Sequence, residues 1–70
     1  MPQFNPEIVH IMRTALDEVM TKVPMEYSTP AIKAHVAECI LKTAAQGQTS
    51  YDGLVAAATA QIPLILSMFT

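Results

Sequence analysis

Apolar residues recur along this chain every three or four positions, in three blocks separated by proline and glycine punctuation. In the first block Ile8, Ile11, Met12, Ala15, Leu16, Val19, Met20 and Val23 fall on one half of a helical wheel. His10, Arg13, Thr14, Asp17, Glu18 and Thr21 fall on the other half. That period is the signature of an amphipathic helix with one face in a core. Asn5-Pro6 supplies its start, a capping side chain followed by a proline whose missing N–H costs nothing at the first helical position. Phe4 is placed to staple onto Val9. Pro24 disfavours helical geometry at Val23, so the helix is expected over about residues 6–22. Glu18 and Lys22 form an i,i+4 pair in the favourable order.

The second block repeats this punctuation with Thr29-Pro30 and ends at Gly47, a natural left-handed cap. A helix over about residues 30–46 results. Its apolar arc is wider, taking in Ile32, Val36, Ala37, Cys39, Ile40, Leu41, Ala44 and Ala45. Only His35, Glu38, Lys42 and Gln46 form a polar strip, which predicts a helix sandwiched between the other two.

In the third block Thr49 reads as the cap, with Asp52 as its capping-box partner. Tyr51, Leu54, Val55, Ala58, Ile62, Ile65, Leu66 and Phe69 continue the helical rhythm over about residues 50–69. The rhythm runs through Pro63, which follows Ile62, a residue unable to cap. A helix kinked there is therefore favoured over a break, at a cost of about 3 kcal/mol for the lost bond and the clash at Thr59. The fold class is all-α: a three-helix bundle forming a single domain over residues 1–70.

Composition changes this picture mainly at the C-terminal end. Charged residues are 14 % of the chain and apolar ones 51 %, against roughly 25 % charged in an average globular domain. The segment from Gly53 to Thr70 holds no charge at all. Leu64, Ile65, Leu66, Met68 and Phe69 point in more directions than one small bundle covers. With Leu54 and Ile62 they form the candidate interface, most simply of a two-fold homodimer. Packing of the stretch into the chain's own core and binding of another protein partner are the further possibilities. A membrane anchor is disfavoured: 18 helical residues span only about 27 Å, Thr59 and Gln61 lie mid-segment, and no basic residue flanks the end.

Candidate chemistry is sparse. His35 and Cys39 stand at i,i+4, a spacing that suits two zinc ligands or a thiol beside a base. A tetrahedral site needs two more donors, and only His10 and a glutamate are available, so the expected reading is a buried thiol and a surface imidazole. Glu7, Asp17, Glu18, Glu26, Glu38 and Asp52 are dispersed, where general acid–base catalysis needs a pair in one pocket. No phosphate-cradling glycine loop and no nucleophile–base arrangement is present. Catalysis, a cofactor and a small-molecule substrate are therefore not implied. Arg13, Lys22, Lys33 and Lys42 are scattered and the third helix carries no basic residue, which argues against nucleic acid. Among the methionines, Met12 and Met20 belong to the core face, whereas Met25 and Met68 are free to meet a partner. The polar start, Met1 to Pro6, and the lone cysteine predict a reducing, cytoplasmic setting.

Several phrases carry a resemblance: Pro6-Glu7-Ile8-Val9, Met12-Arg13-Thr14-Ala15-Leu16-Asp17-Glu18-Val19-Met20, Thr29-Pro30-Ala31-Ile32-Lys33-Ala34-His35, Gly47-Gln48-Thr49-Ser50-Tyr51-Asp52-Gly53-Leu54 and Ile65-Leu66-Ser67-Met68. Together they resemble short all-helical proteins of rhizobia-like alphaproteobacteria, a family that carries no assigned activity. The resemblance implies a bacterial cytoplasmic protein and transfers no site residues. The function expected is that of a non-catalytic interaction or regulatory module. The competing expectations are a metal- or thiol-dependent protein using His35 and Cys39, and membrane association through residues 53–70.

Overall fold

The computed structural model describes residues 5–69. It contains three α-helices, α1 (Pro6–Met20), α2 (Pro30–Ala45) and α3 (Tyr51–Ser67), with a single 3-10 turn at Met25–Tyr27. Each helix packs against both of the others, so the expected three-helix bundle is present. The expected sandwich with α2 in the middle is not: the helices enclose a triangular core, and the breadth of the α2 apolar arc serves two neighbours at once.

Each helix is started by a side chain that accepts from an otherwise orphaned N–H. Asn5 Oδ1 accepts from the Ile8 N–H at 2.8 Å, Thr29 Oγ1 from the Ile32 N–H at 3.3 Å, and Ser50 Oγ from the Gly53 N–H at 3.1 Å. The third cap is thus Ser50, one residue later than the expected Thr49. The reason lies in Gln48, whose Oε1 accepts from the Ser50 hydroxyl at 2.9 Å and the Ser50 N–H at 3.3 Å. A Cβ at Gly53 would collide with that Gln48 amide, so a glycine inside the first turn leaves room for the capping network. Phe4, expected to staple onto Val9, lies outside the described residues.

The helix ends follow their local chemistry. Regular α1 stops at Met20, two residues before the expected end, and the chain tightens into i→i+3 bonds from Lys22 N–H to Val19 C=O (3.0 Å) and Val23 N–H to Met20 C=O (3.3 Å). This turn delivers Val23 into the core ahead of Pro24. Gly47 has φ +104°. Its N–H donates to the Ala44 carbonyl at 3.0 Å, and the Gln48 N–H donates to that of Thr43 at 3.2 Å. Those two bonds are a Schellman cap on α2. The i,i+4 pairs Glu18–Lys22 (3.7 Å) and Glu38–Lys42 (3.3 Å) lie on the surface, each worth only a few tenths of a kcal/mol (~0.3).

The core is built from one stripe per helix: Met12, Ala15 and Val19 of α1, Ile32, Val36, Ile40 and Ala44 of α2, and Leu54, Ala58, Ile62 and Ile65 of α3. No polar or charged residue is buried as a whole among the described residues. α3 runs uninterrupted through Pro63, so the break considered at that position does not occur. Pro63 has no N–H to give the Thr59 carbonyl. One turn earlier the Thr59 hydroxyl is itself buried without a hydrogen-bond partner. The middle of α3 is therefore its weakest hydrogen-bonded stretch, retained by the apolar packing of Ala58, Ile62 and Ile65.

Candidate interaction surface

α2 and α3 run antiparallel. The chain reverses between Ala45 and Tyr51, and His35, near the start of α2, meets Phe69, just beyond the end of α3. Their rings make an edge-to-face contact with centroids 5.5 Å apart and an interplanar angle of 77°, a favoured aromatic geometry. Phe69 is held there by an i→i+3 bond from its N–H to the Leu66 carbonyl at 3.0 Å. Between these helices lies an open groove of about 240 Å³, lined on the α2 side by His35, Glu38, Cys39 and Lys42 and on the α3 side by Gln61, Leu64, Ile65 and Met68.

Seven residues of the C-terminal half are the sequence-based interface candidates, and the structure divides them. Leu54, Ile62 and Ile65 are buried in the bundle's own core, and Leu66 is half-buried against it. Leu64, Met68 and Phe69 are exposed, at 62 %, 63 % and 45 %. The physical reason is phase. Leu54, Ile62 and Ile65 hold the i+3/i+4 rhythm of α3 and track the core, Leu64 and Met68 fall outside it, and Phe69 keeps the rhythm but lies beyond the end of the helix. Leu64 and Met68 share one such off-phase face.

His35 and Cys39, singled out separately from the tail, prove to line the same groove as Leu64 and Met68. Cys39 is half-buried with a free thiol, and its carbonyl accepts from the Thr43 hydroxyl at 2.9 Å. His35 sits against Phe69 rather than beside a further metal donor. Among the described residues no three His, Cys, Asp or Glu side chains gather closely enough to hold a metal ion. Likewise, no helix among them is long and apolar enough to cross a membrane.

Two further surface features complete the picture. A smaller groove of about 150 Å³ between α1 and α2 is lined by Val9, Met12, Arg13, Leu16, Ala37, Ile40 and Leu41. Val9 and Leu41 are exposed along it. The sequence hides this groove because Leu41 falls within the broad apolar arc of α2, although its wheel position lies well off the Ile32–Val36–Ile40 stripe. Met25, on the 3-10 turn, is 92 % exposed and stands apart from both grooves. Tyr51, at the start of α3, has its hydroxyl pKa raised from 10.0 by desolvation, with the Glu18 and Asp52 carboxylates adding to the effect.

The end of α3 and the adjoining side of α2 thus expose Leu64, Met68 and Phe69 together, with a charged Glu38–Lys42 pair along one edge. In comparisons with known protein families, curated proteins and solved structures, the chain matches none of them.

Proposed function

We propose that this protein is a non-catalytic helical interaction module that self-associates as a homodimer through the face shared by α2 and the C-terminal end of α3, in a bacterial cytoplasm. The observation that carries the reading is the clustering of Leu64, Met68 and Phe69, each substantially exposed, beside His35 and Cys39 of the neighbouring helix. Removing exposed aliphatic and aromatic surface from water is favourable by about 25 cal/mol per Å², and contiguous patches of this kind mark interaction sites. The dispersed acids support a binding role over catalysis, since the groove brings only one carboxylate, Glu38, to its rim.

Sedimentation equilibrium on the full chain and on Leu64→Glu tests this reading. A dimer is expected at high micromolar concentration, and the variant is expected to remain monomeric with unchanged helical circular dichroism. A wild-type chain that stays monomeric over that range overturns the proposal.

A further inference from the structure

We propose that the groove between α2 and α3 takes up a copper(I) ion, held by the Cys39 thiolate, the His35 imidazole and the Met68 thioether. One chain carries all three donors, so the site does not depend on self-association.

Two independent observations bring these side chains together. His35 and Cys39 are one turn apart on α2, the i,i+4 spacing that sets two side chains on one helix face with Cβ atoms about 5–6 Å apart. Both are half-buried in the same groove, and Met68 lines it from the α3 side. The ring contact between His35 and Phe69, with centroids 5.5 Å apart, places the imidazole beside the residue that follows Met68. Met68 is 63 % exposed, and its unbranched side chain has three rotatable bonds with which to bring the sulfur into the groove. Neither nitrogen nor sulfur is committed elsewhere. Among the described residues the Cys39 thiol and the His35 ring nitrogens enter no hydrogen bond or ion pair.

The donor set selects the ion. Thiolate and thioether are soft ligands that favour copper(I), and imidazole suits it as well. A closed-shell copper(I) ion is satisfied by three such donors, whereas structural zinc takes four from thiolate, imidazole and carboxylate. Among the described residues no three of His, Cys, Asp and Glu gather. The single carboxylate on the groove, Glu38, is already engaged by Lys42 Nζ at 3.3 Å. Binding releases the thiol proton to solvent as the sulfur–copper bond forms, with no change in the oxidation state of either atom. The thiolate then neutralises the ion's single charge, and Leu64 and Ile65 along the groove restrict its contact with water.

The test titrates the full chain under nitrogen with tetrakis(acetonitrile)copper(I) against the chelator bathocuproine disulfonate, whose copper complex is read by its colour. One copper per chain is expected, with two sulfur neighbours and one nitrogen neighbour by X-ray absorption. Cys39→Ser should abolish binding. His35→Gln and Met68→Leu should each weaken it by more than about tenfold, the scale on which losing merely a supporting hydrogen bond weakens a metal site. Circular dichroism confirms that each variant is folded. Wild-type affinity in His35→Gln or Met68→Leu would reduce the site to a bare thiol and overturn the proposal. So would one copper per two chains, a first shell without nitrogen, or no binding at all. None of these results bears on the sedimentation test of self-association, and a monomeric wild type leaves the copper prediction intact.

Discussion

α1 and α3 supply matching stripes to one core but differ in what they leave outside it. Opposite its buried Met12, Ala15 and Val19, α1 presents Arg13, Thr14 and Asp17 to solvent. Away from its buried Leu54, Ala58, Ile62 and Ile65, α3 presents Ala56, Ala60, Pro63 and Leu64, with Asp52 and Ser67 its polar residues there and Met68 exposed just past its end. The first pattern satisfies both water and core, with Val9 the one large apolar side chain of α1 left exposed. The second satisfies the core and leaves apolar surface over. A helix's period therefore identifies what folds the chain, whereas the apolar residues out of phase with that period identify what is left for a partner.

The largest expected effect comes from cutting the same residue type on the two faces of α3. Leu54 is fully buried and Leu64 is 62 % exposed. Leu54→Ala should cost about 2–5 kcal/mol, a large share of the ~5 kcal/mol stability ordinary for a domain this small. Leu64→Ala should change monomer stability by less than about 0.5 kcal/mol while weakening self-association. Urea unfolding followed by circular dichroism, at concentrations low enough to keep the chain monomeric, measures both. Equal losses at the two sites would erase the distinction between core phase and surplus surface.

Next in size are changes that repair the centre of α3. Pro63→Ala restores an N–H to the Thr59 carbonyl and removes the ring clash, for an expected gain of about 1–3 kcal/mol. A loss would mean that the packing of the tail depends on the proline's geometry. Thr59→Val keeps the side chain's shape and deletes a buried hydroxyl that has no hydrogen-bond partner. It should stabilise by about 1 kcal/mol. Destabilisation there would show that the hydroxyl has a partner in solution, such as a bound water. Neither repair has a counterpart in α1, where the one interior hydroxyl, that of Thr14, donates to the His10 carbonyl at 2.9 Å.

The fold was largely legible in the chain because its signals are local. Asn5-Pro6, Thr29-Pro30 and Gly47 act within one turn of themselves, and periodicity reports the buried stripe directly. The Ser50 cap was less legible, since it depends on the Gln48 side chain folding back over Gly53, a choice that Thr49 and Ser50 leave open in sequence. The site was legible in part. A charge-free tail announces surplus apolar surface, but which of its residues are surplus depends on wheel phase relative to two other helices. Counting Leu54, Ile62 and Ile65 with Leu64 and Met68 merged a core stripe with an exposed one. The meeting of His35 and Cys39 with that tail follows from the antiparallel pairing of α2 and α3, and is a matter of tertiary structure alone.

The smallest expected effect concerns the polar end of α3, and it contrasts with the charge-free end by being sensitive to pH. The raised Tyr51 pKa arises first from desolvation and then from Glu18 and Asp52, all of which disfavour the phenolate. In the unfolded chain Tyr51 titrates near its ordinary value of 10.0. The folded state therefore holds this proton more tightly than the unfolded state. Its contribution to stability is fully present below pH 10 and is lost as pH rises through the higher, folded value. Tyr51→Phe has no proton to lose at that position, and the two proteins are otherwise identical. Between pH 9 and 11, urea midpoints of the wild type should fall further than those of Tyr51→Phe. Parallel decline of the two midpoints would mean that the phenolate is as well tolerated in the fold as in the unfolded chain, and that both ends of α3 are equally indifferent to alkali.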